Sequence, residues 1–309
     1  MKNGLFLIHK ETGMTSHDVV SRMRRILKEK SIGHAGTLDP LASGLMVMLV
    51  GEATKISQYI LEKNKAYKVG VKLGQTTDTL DTTGTILTES EVQCTETQVK
   101  ETGLSIQGTF ELPIPMYSAK KVDGKKLYEL AREGVTIEIP TKEMSFWDVE
   151  YHGFKNDLYW FELRCSKGSF IRTWVSVLGE KLGCGATMGA LVRTESEPYS
   201  LKQAITLGEL KEMTENSQEP NFSKFDFFKN LYTALSSYKS IRTSDFSVRM
   251  LKNGQISHEL RSLLIIHFDP QVDTFIKIIP THSEQVLGLI GFEKDKGFVI
   301  KRVFSIDPY

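Results

Sequence analysis

The stretch Gly33-His34-Ala35-Gly36-Thr37-Leu38-Asp39-Pro40-Leu41-Ala42-Ser43-Gly44 decides how the rest of the chain is read. It holds one carboxylate, one imidazole and three glycines but no lysine or arginine, while amphipathic, lysine-rich segments flank it. Asp39 stands directly before Pro40. The proline ring clashes with a helical conformation at the residue before it, so Asp39 is pushed into an extended one. The glycines permit tight turns or the close approach of another backbone. One reading is a loop built to hold a single carboxylate in a fixed, outward pose. The other is a Gly/Pro turn whose Asp caps the next segment, and local chemistry by itself favours that second reading.

Upstream, residues 4–9 (GLFLIH) read as a short buried strand and Glu11-Thr12-Gly13-Met14 as a turn. Thr15 or Ser16 opens a helix, with Asp18 in capping-box position three residues after Thr15. Val19, Val20, Met23, Ile26 and Leu27 recur at helical spacing, and Arg22, Arg24, Arg25 and Lys28 fall largely on the other face. Downstream, residues 45–50 read as a fully buried strand and 52–61 as a second helix. Residues 65–73 (KAYKVGVKL) alternate as a strand, with Tyr67, Val69, Val71 and Leu73 on one face. Residues 75–84 form a polar turn, in which Asp78 and Asp81 lack the spacing of a calcium-binding loop. Residues 93–103 read as an acidic helix, followed by a strand into Leu112-Pro113-Ile114-Pro115.

Residues 116–134 (MYSAKKVDGKKLYELAREG) interleave Lys120, Lys121, Lys125, Lys126 and Arg132 with Tyr117 and Tyr128. Asp123-Gly124 marks a turn, 127–133 a short helix and Gly134 its C-cap. Cations beside aromatic rings suit single-stranded nucleic acid, whose phosphates and bases they meet; a solvated helical hairpin fits the composition equally well. Residues 158–166 alternate again, with Tyr159, Phe161, Leu163 and Cys165 on one face. After the Lys167-Gly168-Ser169 turn, Ile171, Trp174, Val175, Leu178 and Leu182 continue as a helix capped by Ser169. Arg172 then falls in the first turn, where the macrodipole disfavours a cation, so an anion is expected beside it. Residues 225–235 read as helical and Ser236-Ser237-Tyr238-Lys239-Ser240 as a domain boundary. Beyond it, residues 246–251, 263–268, 274–280, 286–292 and 297–304 read as five short strands of a small all-β barrel.

A chain of 309 residues has room for two domains, and 40% hydrophobic with 25% charged residues is ordinary for a soluble globular protein. The net charge of +1 conceals an asymmetry. Residues 1–75 carry 12 Lys and Arg against 6 Asp and Glu, whereas 76–115 carry 1 against 7. A basic first quarter beside an acidic stretch fits a polyanion bound by one face, although solvated faces of amphipathic elements explain much of it too. Cys94, Cys165 and Cys184 lack C-x-x-C spacing, which indicates reduced thiols in a cytoplasmic protein rather than a disulfide frame or a zinc site. No signal-peptide pattern is read, and the apolar runs at 45–50 and 263–266 are far too short to span a bilayer, so no membrane association is expected.

Four blocks, taken together, resemble the bacterial TruB-type tRNA pseudouridine synthases. They are G-H-A-G-T-L-D-P-L-A-S-G-L from Gly33, the strand at 65–74 with Q-T-T-D-T-L-D after it, P-M-Y-S-A-K-K-V-D-G-K-K-L-Y-E-L-A-R-E-G, and C-S-K-G-S-F-I-R-T with L-G-E-K-L-G-C-G-A. They occur in family order over residues 4–194, and the tail is similar to a PUA-type domain. The resemblance implies an α+β catalytic domain over 1–237 around a mixed, largely antiparallel central sheet, with an RNA-clamping insert at about 113–134, and a PUA-like RNA-binding β-barrel over 238–309. It implies isomerisation of uridine 55 in the T loop of tRNA to pseudouridine by base flipping and an aspartate nucleophile. No cofactor or metal is implied, and the enzyme is expected to be a cytoplasmic monomer with tRNA as partner and no obligate protein partner.

Position by position, the resemblance makes Asp39 the nucleophile, Tyr67 the ring against the target base and Arg172 the partner of Asp39. His34 is implied to stack within the rearranged T loop. Lys55 and Leu191 match positions lining the pocket, and Lys120 and Lys121 lie on the RNA-clamping insert. The pattern departs after Leu191, where family members often read L-R-R-T and this chain has Leu191-Val192-Arg193-Thr194. The usual contact of a second arginine is therefore in question at Val192. On the residues alone two other classes stay open: an RNA-binding or tRNA-folding module in which Asp39 is structural, and a glycosidase, which needs a second spaced acid that the loop lacks. A related synthase that modifies ribosomal RNA with guide RNAs is disfavoured by the absence of long basic tails.

Overall fold

The loop carrying Asp39 hangs between β2 (Ile32–His34) and β3 (Ser43–Val50). Strand β2 pairs with β3, and β3 runs antiparallel to β1 (Gly4–Lys10) along its whole length, with Gly4 opposite Val50 and Lys10 opposite Gly44. Both long strands are near-continuous apolar runs because both of their faces are covered. The computed structural model describes residues 3–61, 63–118, 120–122, 124–133, 138–217 and 220–305, without the side chains at 121, 122, 126 and 132. Asp123 and Gly134, expected in a turn and a cap, lie outside the described residues.

Helix α1 (Ser16–Leu27) starts as expected: Thr15 Oγ accepts from the Asp18 N–H while the Asp18 carboxylate accepts from the Thr15 N–H. Val19, Val20, Met23 and Leu27 are buried, and the arginines lie outside. A 3-10 turn (Gly51–Ile56) and a short α2 (Ser57–Leu61) replace the single helix expected at 52–61. Then follow β4 (Lys65–Leu73), α3 (Glu96–Ser105), β5 (Gly108–Pro113), α4 (Leu127–Arg132), β6 (Thr141–Lys155), β7 (Leu158–Cys165), α5 (Ile171–Leu182) and β8 (Ala186–Ser196). The main path of the sheet runs Ile205–Thr206, β1, β3, β8, β4, β7, β6, β5. Only the β3–β8 and β1 to Ile205–Thr206 pairings along this path are parallel, so the sheet is mixed and largely antiparallel. Trp174 anchors α5 beneath it, fully buried, with its indole N–H donating to the Ile106 carbonyl and its ring edge-on to Phe161.

The Asp39 loop is gripped from several elements. Ser16, first residue of α1, accepts from the Leu38 N–H at 2.9 Å and donates to the Leu38 carbonyl at 3.0 Å. The Ala35 N–H donates to Val47, the Gly13 N–H to Pro40, and the Ala42 N–H closes the turn on the Asp39 carbonyl. Gly44, at φ +105°, lets the β8 backbone pass so close that a Cβ there would lie 2.4 Å from the Arg193 carbonyl oxygen. Gly33 has no such neighbour.

The C-terminal third departs from the expected all-β barrel. Its sheet has four strands, Ser240–Thr243, Ile276–Pro280, Gly288–Glu293 and Gly297–Val303 in that order, the first pair parallel. Residues 246–251 and all but the last of 263–268, expected as strands, lie in helices Asp245–Lys252 and His258–His267. The Ser244 and Ser257 hydroxyls cap them, and the buried pairs Val248 with Leu251 and Leu260 with Leu264 repeat at three and four residues, a helical rather than a strand period. Residues 225–235 are likewise not one helix. Phe228–Lys229 pairs with β1, and Leu231–Ala234 forms a single turn, because Phe227 and Phe228 are both buried in the ring cluster around Phe6. At α5 the N-cap is Phe170 with no side-chain cap, and the Ser169 hydroxyl instead meets that of Ser166 at 2.9 Å. Among the described residues no helix is long and apolar enough to cross a membrane.

A seam joins this sheet to the first. Phe275 stacks on Tyr238 and packs against Tyr59, and the Ser305 N–H donates to the Glu52 carboxylate at 2.8 Å.

Gly44→Ala should cost about 2–5 kcal/mol in urea denaturation, from backbone strain and overlap together, whereas Gly33→Ala should stay within about 1 kcal/mol. Equal effects at the two positions would remove the close approach of β8 as the reason for Gly44.

Candidate active site

Strand β4 lies between β8 and β7, so Tyr67 sits opposite Arg193 on one side and Leu163 on the other. Across from it, the turn at 167–169 feeds α5 and puts Arg172 in the first helical turn. The Arg172 Nε lies 3.1 Å from Asp39 Oδ2, an ion pair. Its other two nitrogens are equally committed, Nη1 to the Thr79 carbonyl at 2.9 Å and Nη2 to the Tyr117 carbonyl at 3.0 Å. Tyr117 is itself fastened through its hydroxyl to Asp78. The Arg172 side chain is 6% exposed and that of Asp39 33% exposed, so the arginine is walled in and the carboxylate faces open space. A cation in a helix's first turn meets the unfavourable end of the macrodipole, and the carboxylate beside it offsets that cost.

The open space is a cavity of about 750 Å³, and Asp39, Tyr67, Arg172, Leu191 and Lys120 all line it. Burial pushes the Tyr67 phenol up from its ordinary value, so it is un-ionised at neutral pH. Two other sequence-derived positions lie elsewhere. Lys55 is at the seam, where its ammonium pairs with Glu52 at 2.7 Å and donates to the Val303 carbonyl at 3.1 Å, and it does not line the cavity. His34 is half-buried on β2 and is not part of the cavity wall; burial, with Arg193 and His17, holds its imidazole below the ordinary value. The Lys121 side chain lies outside the described residues.

Two residues of the site were not anticipated. Arg193, almost wholly buried, donates from Nε to the Leu45 carbonyl at 2.7 Å, from Nη2 to Gly36 at 3.2 Å and from Nη1 to Thr37 at 3.4 Å. It grips the backbone of the Asp39 loop, not its carboxylate. The available signal was alternation: Leu191 and Arg193 share one face of β8, and Leu191 already had a place in the pocket. Val192 is half-buried and absent from the cavity wall, so the departure from L-R-R-T leaves that wall unaltered. Lys65, two residues before Tyr67 on the same face, also lines the cavity, and its ammonium donates to the Leu61 and Lys63 carbonyls.

Sequence comparison accords with this geometry. The model for the TruB family pseudouridylate synthase N-terminal domain matches residues 24–171, and that for the tRNA pseudouridylate synthase B C-terminal domain matches 172–232. A tRNA pseudouridine synthase B of Bdellovibrio bacteriovorus is 47% identical over 305 residues, spanning 98% of this chain and 97% of the relative. The chain belongs to the TruB family of pseudouridylate synthases. A second TruB relative, from Staphylococcus haemolyticus, is 33% identical over 323 residues, 99% of this chain and 100% of its own length. Among solved structures, one of a Cbf5-Nop10-Gar1 complex superposes with a TM-score of 0.68 at 20% identity, covering 98% of this chain and 84% of that one, so the two share a fold. TruB membership makes the chain an isomerase.

Lys65 and Lys10 give the site a pH signature. Lys10 is fully buried, its ammonium donating to the Met14 carbonyl at 2.7 Å. Desolvation pushes both ammonium groups down to about 8, outweighing the pull of Asp39 on Lys10. A lysine whose folded value lies below its unfolded one weakens the fold while it is charged, and that penalty is relieved as pH rises from about 8 towards 10.5. Wild-type stability measured relative to Lys65→Met should therefore increase between about pH 7 and about pH 9.5 in urea titrations. A flat or falling difference would show that Lys65 is not carrying a buried charge.

Proposed function

We propose that this TruB enzyme converts uridine 55 in the T loop of tRNA to pseudouridine, with Asp39 as the nucleophile. The observation that carries the reading is the convergence on one cavity of Asp39, the Arg172 guanidinium 3.1 Å from it, and the buried ring of Tyr67. The tRNA substrate is that of the curated relatives by name.

The reaction breaks the C1′–N1 glycosidic bond, turns the base over and joins C5 to C1′. A proton leaves C5 and N1 gains one, so the balance contains no oxidation. A carboxylate at C1′ meets the electron-poor sugar as the bond breaks. The Arg172 guanidinium 3.1 Å away gives that carboxylate a fixed countercharge. The target nucleotide must leave its stack, at a cost of a few kcal/mol, and the face of Tyr67 replaces part of the lost stacking. Its un-ionised hydroxyl is able to pass a proton as C5 is relieved of one. In this reading residues 1–237 form the catalytic domain and 238–309 an RNA-binding one, with Lys120 and Lys121 on the side from which RNA enters. Lys55 and His34 stand apart from the cavity, and any role they have is in holding RNA or structure rather than in bond exchange.

The test is to incubate unmodified tRNA with the protein alone and map pseudouridine. Conversion at position 55 is expected; conversion elsewhere only, or none, removes the assignment. Asp39→Asn should keep tRNA affinity and lose at least about a thousandfold in rate. Arg172→Lys should also lose most activity, since an ammonium on a shorter reach cannot supply the planar fork that meets Asp39 and the Thr79 and Tyr117 carbonyls. Undiminished turnover in Asp39→Asn would make that carboxylate structural.

A further inference from the structure

Three neighbouring strands supply one side of the cavity: Lys65 and Tyr67 come from β4, Cys165 from β7, Leu191 and Arg193 from β8. Lys65 and Tyr67 stand two residues apart, so their side chains leave one face of the strand about 7 Å from each other. Tyr67 has a task in the reading above. So have the two arginines, Arg172 at the Asp39 carboxylate and Arg193 at the backbone of its loop. Lys65 has none, although it is a cation only 8% exposed. Its ammonium donates to the Leu61 carbonyl at 2.8 Å and to the Lys63 carbonyl, which accounts for two of its three protons. Among the described residues one donor is left, on a group that the other two hold in place. Facing it are Arg193 from β8, the Cys165 thiol from β7, Glu197 just beyond β8 and Lys167 from the turn before α5. Desolvation, and after it Arg193, bring the ammonium down to about 8. A cation that gives up its proton more readily than a free lysine is a stronger hydrogen-bond donor while it keeps it.

We propose that the Lys65 ammonium is a catalytic group that donates to a carbonyl oxygen of the uracil as the base separates from the sugar. The inference rests on the nucleotide-flipping reading above and supplies the charge which that reading leaves unbalanced. When the C1′–N1 bond breaks, its electron pair goes with the base, and negative charge spreads from N1 onto O2 and O4. Asp39 meets the sugar side of that bond, and no group described so far meets the charge on the base side. A base lying on the Tyr67 ring brings its edge towards the next side chain along the strand face, which is Lys65. The ammonium keeps its proton throughout, so the balance is unaltered: C5 still loses a proton and N1 still gains one. A donor aimed where charge develops stabilises the departing base more than the intact nucleotide. The turning of the base also suits a single fixed donor. Half a turn about the N3–C6 axis exchanges N1 with C5 and O2 with O4, so one oxygen replaces the other at the same point. Cytosine lacks that symmetry. At one of the two stages its amino group would set a donor against a donor, which disfavours it.

The test measures tRNA affinity, kcat and KM for the wild type, Lys65→Met and Lys65→Arg. The RNA is a T arm with uridine, 2-thiouridine or 4-thiouridine at the target position, since sulfur accepts a hydrogen bond poorly. Lys65→Met should bind within about threefold of the wild type and lose roughly a hundredfold to a thousandfold in kcat, and Lys65→Arg should recover part of that loss. For one of the two thio bases, the rate relative to uridine should be about tenfold higher in Lys65→Met than in the wild type. The intrinsic effect of sulfur cancels in that comparison and the lost contact remains. Wild-type kcat/KM should decline above about pH 8 as the ammonium loses its charge, and in Lys65→Arg the decline should move to higher pH. Lys10 titrates in the same range but is present in all three proteins, so it cannot move the decline between them. Where Lys65→Arg fails to fold, the thio comparison in Lys65→Met decides. A lysine that only supports the strand would lower the rate by one factor on all three RNAs and leave the pH profile in place. That result, or wild-type kcat in Lys65→Met, would overturn the proposal. If the wild type modifies a uridine other than 55, the position proposed above fails, and the same comparison at that uridine still decides Lys65.

Discussion

The Asp39 carboxylate at the cavity wall needs a countercharge that cannot drift away. Arg172 satisfies that constraint because none of its three nitrogens is idle: one meets Asp39, and the other two are held by the carbonyls of Thr79 and Tyr117. The guanidinium fork is planar and its donors are fixed in direction, so two hydrogen bonds and one ion pair together restrict its pose. The helix that carries it is anchored by Trp174, two residues along and fully buried. The placement of a cation in the first turn of α5, unfavourable for the helix alone, follows from what the carboxylate needs.

Arg193 works on the other half of the problem. Arg172 meets the carboxylate of Asp39, and Arg193 holds the backbone that presents it, through Leu45, Gly36 and Thr37. Ser16 adds two bonds to Leu38 from the start of α1. A loop held by a helix, a strand and a neighbouring turn loses little entropy when substrate arrives, which is the physical content of a preorganised site. The same arrangement explains why Gly44 is a glycine: the strand that delivers Arg193 must run within touching distance of it.

Much of this was readable beforehand. The start of α1 was marked by Thr15 and Asp18, and Arg172 drew notice by its awkward place in a helix turn. Asp39 and Tyr67 were singled out by the family resemblance, local chemistry alone favouring a turn residue for Asp39. What escaped was long-range or directionless. Arg193 meets the loop only once β8 is registered against β4, and no local period announces that register. The other two partners of Arg172, besides Asp39, are carbonyl oxygens, which every residue has. Lys55 matched a pocket position by motif, yet its direction is set by Val303, which lies 248 residues further on. In the C-terminal third, runs such as LLIIHF are too short for a period of two to be told from one of 3.6, and the capping serines Ser244 and Ser257 were the signals that distinguish them.

The contacts of Arg193 with the Asp39 loop span 148 to 157 residues of chain. During synthesis the loop is therefore made long before the arginine that grips it. Closing such distant contacts is the slow part of folding, since the intervening chain must be ordered before they repay the entropy lost. The nascent chain thus carries its carboxylate as an ordinary surface group for most of its elongation. The wall around Asp39 is complete only once β8 lies between β3 and β4, so a chain ending before β8 would hold the loop without its grip.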